Sequence, residues 1–210
     1  MILGQFLWVL GCYFVGSIPF GLVIAKTCCH VDPRTAGSKS IGATNVSRLC
    51  GFPYGLLTLA CDVAKGALPV WGALWLDGQD YPFVSLAAFA CVLGHVFSCF
   101  LGFRGGKAVA VTIGVFIPLA FEALLGACAL CMLVIWRTRF VSLGSMTFAA
   151  SLPLILIFVD KWQWVPLAVC VAVIIFWRHL DNLKRLRAGE EKPWLKSRRT
   201  VEPGQGGEAK

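Results

Sequence analysis

The sequence predicts an all-α protein: a polytopic membrane helical bundle with about seven transmembrane helices, two of them short. Three observations carry that expectation. The 210 residues are 58% hydrophobic and only 14% charged, with a mean hydropathy of +0.75, and a soluble domain needs far more polar surface. The apolar residues come in runs suited to a hydrocarbon core about 30 Å thick. Finally, 17 of the 19 Lys and Arg fall in four segments that such crossings leave on one side.

The elements follow in order. Residues 3–25 form the first span. The opening MILGQFLWVLGCYFVGSIPFGLVIAK is too long for a cleaved signal peptide and lacks its basic start, so it reads as a retained helix. Residues 52–76 and 82–101 give the second and third spans, and 142–159 and 162–178 the sixth and seventh. Glu122 divides 108–136 into two apolar pieces of about 14 residues, around 108–121 and 123–136. Each is about 21 Å long as helix, so the expectation is two short spans or a re-entrant hairpin.

The basic segments are 26–51 (Lys26, Arg34, Lys39, Arg48), 102–107 (Arg104, Lys107), 137–141 (Arg137, Arg139) and the chain from Arg178 onward. Seven crossings with the N-terminus outside place all four, and the C-terminus, in the cytoplasm. Residues 1–196 are expected to form a single integral membrane domain, and 197–210 a disordered cytoplasmic tail. The net charge of +8 then belongs to loops facing anionic headgroups or an anionic substrate, not nucleic acid. The ten cysteines lie mostly in apolar runs and read as small hydrophobes. Cys128 and Cys131 have CxxC spacing without a second ligand pair, so no metal site is expected.

The polar residues cluster. The loop DPRTAGSKSIGATNVSRLCG (32–51) combines glycines with Ser38, Thr44, Asn45 and Arg48. Glycines let backbone N–H groups turn toward an anion, and Arg pairs with phosphate in a fork. The segment GHVFSCFLGFRGGKAVAVTIG (94–114) places Gly105, Gly106 and Lys107 before an apolar helical run, where a helix N-terminus favours an anion. The GxxxxGK[ST] spacing of a nucleotide loop is absent. His95 precedes that loop by about three helical turns. In RHLDNLKRLRAGEEKPW (178–194), His179, Asn182 and Arg185 recur at helical spacing below the seventh span. Ser142, opening the sixth span, lies on the same side. A plain amphipathic anchor explains the Lys and Arg of that segment but not His179 with Asn182. Asp62 and Lys65, spaced i, i+3 within the second span, read as a structural pair.

These segments resemble the bacterial acyl-phosphate:glycerol-3-phosphate acyltransferase family. The resemblance rests on GSIPFG (16–21), AGSKSIGATNVSR (36–48), DVAKG (62–66), GHVFSCFLGFRGGKAVA (94–110), VSLGS (141–145) and HLDNLKRLRAGE (179–190). The family usually reads GSGN where this chain has Gly37-Ser38-Lys39-Ser40, and GGKG where it has Gly105-Gly106-Lys107-Ala108. The resemblance implies transfer of a fatty acyl group from acyl phosphate to the 1-position of glycerol 3-phosphate. The products would be 1-acyl-glycerol 3-phosphate and phosphate, the first step of phospholipid synthesis. Neither cofactor nor metal is expected, and the chain is expected to act as a monomer in the bacterial inner membrane with its active site facing the cytoplasm. His95, Lys107, His179 and Asn182 are the expected catalytic residues. Ser38, Thr44, Asn45, Arg48, Gly105, Gly106, Ser142 and Arg185 are the expected substrate-binding residues. An acyl phosphate is already activated, so direct transfer is expected, with the substrate phosphate or His95 taking the hydroxyl proton. The alternative function is a transporter or channel for a small phosphorylated solute, whose binding residues should lie near the membrane midplane.

Overall fold

The computed structural model describes residues 3–194, and among these every regular element is helical. The expected tail 197–210 lies outside the described residues. In chain order the helices are α1 (Leu3–Ser17), α2 (Phe20–Cys29), α3 (Ala43–Cys50), α4 (Phe52–Asp77), α5 (Tyr81–Val96), α6 (Val109–Leu119), α7 (Phe121–Thr138), α8 (Val141–Phe158), α9 (Val165–Arg178) and α10 (Leu180–Arg187). Short 3₁₀ turns follow α5 at Cys99–Leu101 and precede α9 at Trp162–Trp164. Among the described residues five stretches are long and apolar enough to cross a membrane: Leu3–Cys29, Phe52–Asp77, Tyr81–Leu101, Phe121–Thr138 and Val141–Phe158. A sixth is the pair Trp162–Arg178 and Leu180–Arg187, bent by 54°.

The first span is longer than the sequence suggests and is interrupted at Ile18-Pro19, because Pro19 has no N–H to continue the ladder. The carbonyls left at the break are not abandoned. Ser98 Oγ donates to the Ser17 carbonyl at 2.6 Å, and Lys65 Nζ donates to the Ile18 carbonyl at 2.7 Å. Lys65 is in turn paired with Asp62 at 2.8 Å, with both side chains buried. The intramembrane ion pair thus ties α4 to the broken helix, which is the partner that a buried charge requires. Close helix pairs depend on missing side chains. A Cβ on Gly66 of α4 would stand 2.4 Å from the Val111 carbonyl oxygen, and one on Gly114 of α6 would stand 2.0 Å from that of Val63.

The 108–136 stretch corrects the expectation. The break falls at Ala120, not Glu122, and the halves are unequal: α6 has 11 residues and α7 has 18. Pro118 ends α6 by removing a donor near its last turn, and Ala120 takes an extended φ of −160°. Glu122 falls in the first turn of α7, where a carboxylate suits the helix dipole. At about 16 Å, α6 alone is shorter than a hydrocarbon core.

Contacts sort the connecting segments onto two ends. At one end Gln5 donates to Asp80 at 3.1 Å, Tyr81 rests edge-on against Trp164, and Lys161 pairs with Glu122 at 3.4 Å. At the other end Arg48 donates to the Lys192 carbonyl, the Trp194 N–H donates to the Arg139 carbonyl, and Arg178 donates to the Gly105 and Gly106 carbonyls. These bonds join all four basic segments at a single end. The Glu122 pair puts the α6–α7 break at the opposite end, so α6 and α7 run outward and back between the two.

Candidate active site

A cavity of about 510 Å³ lies at the basic end. Several separate stretches line it: the first loop with α3, the inner faces of α4 and α5, the start of α6, the facing sides of α7 and α8, and the segment from His179 to Lys192. Of the twelve expected site residues, ten line this cavity: Ser38, Thr44, Asn45, Arg48, His95, Lys107, Ser142, His179, Asn182 and Arg185. Gly105 and Gly106 do not.

The first loop is half helical, because α3 takes up Ala43–Cys50 and carries Thr44, Asn45 and Arg48. Asn45 is buried and its amide is fully engaged. Nδ2 donates to the carbonyls of Pro33, Ala36 and Ser40 at 3.0, 3.2 and 2.8 Å, and Oδ1 accepts from the Ser38 N–H at 2.8 Å. Asn45 therefore shapes the loop from within the cavity wall. Gly37 (φ +65°) and Lys39 (φ +55°) supply the left-handed turns that wrap the loop around it. Arg48 caps the C-terminal segment through Lys192, and burial lowers its pKa.

The glycine loop is held by backbone bonds. The N–H groups of Gly105 and Gly106 donate to the Val96 and His95 carbonyls at 2.9 and 3.0 Å. Their own carbonyls accept from Arg178 at 2.9 and 3.1 Å. The loop is folded down on α5 and clamped by the end of α9, which presents Lys107 and the first turn of α6 (Ala108–Ala110) to the cavity. A helix N-terminus and an ammonium are both groups that favour an anion. Burial first, then the nearby Arg185, pushes the Lys107 pKa down to about 8. His95 lies beneath this loop, buried, with Nδ1 3.9 Å from Asp62 Oδ1.

At the end of α9 the chain bends at His179 into α10. His179 is buried, and its Nδ1 lies 2.8 Å from the Ile175 carbonyl, so Nδ1 carries the proton and Nε2 is left as an acceptor. Asn182 Oδ1 accepts from Lys107 Nζ, joining the α10 and α6 sides of the cavity. Arg185 lies in the cavity wall and not only on the membrane surface.

Three residues of the site escaped the sequence reading. Arg178 clamps the glycine loop, Asp62 reaches the cavity from within a span, and Glu191 lies at the centre of the polar cluster. Asp62 was legible as an intramembrane charge, which is a functional signal by default. Glu191 carried no signal, because the segment AGEEK reads as an exposed helix end.

An apolar groove of about 300 Å³ adjoins the cavity and shares Ala43, Thr44, Leu59, Ile135 and Val141 with it. Phe52, Leu56 and Met132 line it too and are exposed on the bundle's outer surface. The arrangement is therefore a polar, cationic chamber with an apolar slot leading to the side of the bundle. Such a pair fits an amphiphile with an anionic head and a hydrocarbon chain.

Known proteins are similar to this chain over most of its length. A glycerol-3-phosphate acyltransferase from Desulfovibrio desulfuricans is 56% identical over 194 residues, covering 92% of this chain and 86% of its own. Among solved structures, the glycerol 3-phosphate form of PlsY (YgiH), an integral membrane glycerol 3-phosphate acyltransferase, superposes with a TM-score of 0.87 at 35% identity. The lysophosphatidic acid form of the same enzyme gives 0.84 at 34%. Each covers 90% of this chain and 95% of the solved one. The pattern described as glycerol-3-phosphate acyltransferase matches residues 6–189, and the chain belongs to that family of integral membrane enzymes.

Proposed function

We propose that this enzyme takes its acyl group from a fatty acyl phosphate, binding both substrates in the chamber at the basic end. The observation that carries the reading is the convergence of Arg48, Lys107 and Arg185 on one cavity continuous with the apolar groove. The acyl chain lies in the groove, and its phosphate and that of glycerol 3-phosphate are held by Arg48, Lys107, Arg185, Ser38 and the α6 N-terminus. The glycerol 1-hydroxyl attacks the acyl carbonyl carbon. A new C–O ester bond forms, the bond from that carbon to the phosphate oxygen breaks, and the electron pair leaves with the phosphate. The departing phosphate takes the hydroxyl proton. No covalent acyl-enzyme is needed, because the donor is already activated and positioning with charge stabilisation supplies the acceleration.

His179 and Asn182 orient the hydroxyl and Lys107, and Ser142 hydrogen-bonds in the same chamber. His95 is the second reading for the proton acceptor, favoured by its place in the cavity lining and a buried Nδ1 without a hydrogen-bond partner among the described residues. The chain crosses the bacterial inner membrane seven times, with the basic end and the active site facing the cytoplasm, and works as a monomer. The positive-inside rule supports that orientation, since four basic segments meet at one end.

The test is turnover by purified protein in lipid vesicles with labelled glycerol 3-phosphate. Acyl phosphate, acyl-coenzyme A and acyl-carrier protein are offered in parallel. Product from acyl phosphate alone, without ATP or coenzyme A, is the expected result. Product only with a thioester would overturn the donor assignment.

A further inference from the structure

The Glu191 carboxylate stands where the site's donors meet. It follows α10 after a turn at Gly189 (φ +70°), and its side chain is only 8% exposed. Oε1 accepts from Ser142 Oγ at 2.8 Å and from Asn182 Nδ2 at 2.7 Å, and Oε2 accepts from Arg185 Nε at 2.8 Å. The surrounding backbone is fixed on both sides. The Glu190 N–H donates to the Arg185 carbonyl at 2.8 Å, Arg48 holds the Lys192 carbonyl at 3.0 Å, and the Trp194 N–H donates to the Arg139 carbonyl at 2.9 Å.

We propose that Glu191 is a positioning residue for acyl transfer: it ties Ser142, Asn182 and Arg185 into one array and so fixes which face of Asn182 meets Lys107. This rests on the assignment of Lys107 and Asn182 to the site made above. The argument is one of donors and acceptors. An ionised carboxylate only accepts, so Asn182 must turn its NH₂ toward Glu191. That leaves Oδ1, and no donor, against the Lys107 ammonium. Without the carboxylate only the Lys107 ammonium orients the amide, and Asn182 loses the bond that holds its other side in place. The same bond points the Ser142 hydroxyl hydrogen at Glu191, so the oxygen's lone pairs remain for a substrate hydroxyl. The fixed array also keeps an anion beside Arg48, Lys107 and Arg185. Burial alone would raise the Glu191 pKa, but hydrogen bonds from Asn182, Ser142 and Arg185 hold it below the usual carboxylate value.

The test uses the full chain in lipid, assayed with acyl phosphate and glycerol 3-phosphate. Glu191→Gln keeps the shape and removes the charge; Glu191→Asp keeps the charge and withdraws it by one methylene. Lys107 faces Arg185, Arg178, Glu191 and Asp181, with His179 beside it, so loss of the Glu191 charge removes one of its two anionic neighbours. Glu191→Gln should lower kcat at least about tenfold. It should also move the alkaline limb of the kcat/KM profile to lower pH. Glu191→Asp should lower kcat while leaving that limb in place, and it carries the test if the Gln variant does not fold. In an Asn182→Ala background, Glu191→Gln should cost less than it does in the wild type, because part of its effect runs through Asn182. Fully additive losses, an unmoved limb in Glu191→Gln, or a rise in kcat/KM from release of a carboxylate blocking the phosphate site would each overturn the proposal. Wild-type turnover by Asn182→Ala and Lys107→Ala alone would overturn the site assignment instead.

Discussion

Gly105 approaches His95 so closely that a Cβ on the glycine would stand 1.9 Å from the His95 carbonyl oxygen. Next to it, a Cβ on Gly106 would stand 2.1 Å from Nε2 of the same residue's ring. The two clashes differ in kind. Backbone cannot swing away, whereas a ring can be removed. Gly105→Ala is therefore expected to lose most of its folded protein, and Gly106→Ala to fold with a lowered Tm, since overpacking costs about 1–3 kcal/mol. Adding His95→Ala should recover part of the Tm of Gly106→Ala and none of that of Gly105→Ala. Thermal melts in detergent read the result, and equal tolerance of both alanines would contradict this packing.

A second prediction concerns backbone strain. Lys39 (φ +55°) and Ala108 (φ +66°) occupy left-handed conformations, at the two positions where the motif resemblance implies glycine. A side chain there costs about 1–2 kcal/mol, and a glycine returns about 0.5–1 kcal/mol of that as unfolded-state entropy. Lys39 is exposed, so Lys39→Gly should stabilise by about 0.5–1 kcal/mol on these figures. Ala108 is buried, and its methyl contributes about 0.8 kcal/mol, so Ala108→Gly should be close to neutral. The ordering of the two Tm shifts is the measurement.

Those two positions also mark how far the sequence could be read. Periodic apolar runs and the placement of Lys and Arg located the long helices and gathered the basic segments at one end, because both signals are local and repeated. What escaped was set by contacts between distant segments. The break at Ala120 depends on Pro118, whose effect on a helix's end cannot be separated from the apolar pattern around it. The glycine loop was legible as special but not in its task, since close approach to His95 and an open anion nest call for the same residues. Glu191 could be found only by seeing Ser142 and Arg185 on either side of it, 49 and 6 residues away in the chain.

The third prediction separates site from surface on α10. Arg185 reaches into the cavity and Glu191, whereas Arg187 is exposed. A charge-assisted bond to phosphate is worth roughly 1.5–3 kcal/mol. Alanine at Arg48, Lys107, His179, Asn182 or Arg185 should therefore lower kcat/KM at least about tenfold. Arg187→Ala should keep near-normal turnover. The series is compared at matched amounts of monodisperse protein, and equal losses at Arg185 and Arg187 would return the segment to a membrane anchor.

The fourth prediction is a pH dependence with a definite sign. Lys107 is held at about 8, chiefly by burial and then by the neighbouring Arg185, with Arg178 adding to the effect and Glu191 and Asp181 opposing it. The ammonium is the form that binds phosphate, and it prevails below that value. As pH rises through about 8 the amine becomes neutral and the phosphate loses a counter-charge. The substrate phosphates do not cause this limb, because their second ionisation lies near 6. The profile of kcat/KM, which reports the free enzyme, should therefore fall on the alkaline side with a midpoint near 8. The kcat profile should fall at higher pH, since bound phosphate holds the proton on the amine. Lys107→Arg places a guanidinium that stays charged beyond pH 12, so its activity, though lower from altered geometry, should lose the limb altogether. A limb that persists unchanged in Lys107→Arg would assign the titration to another group.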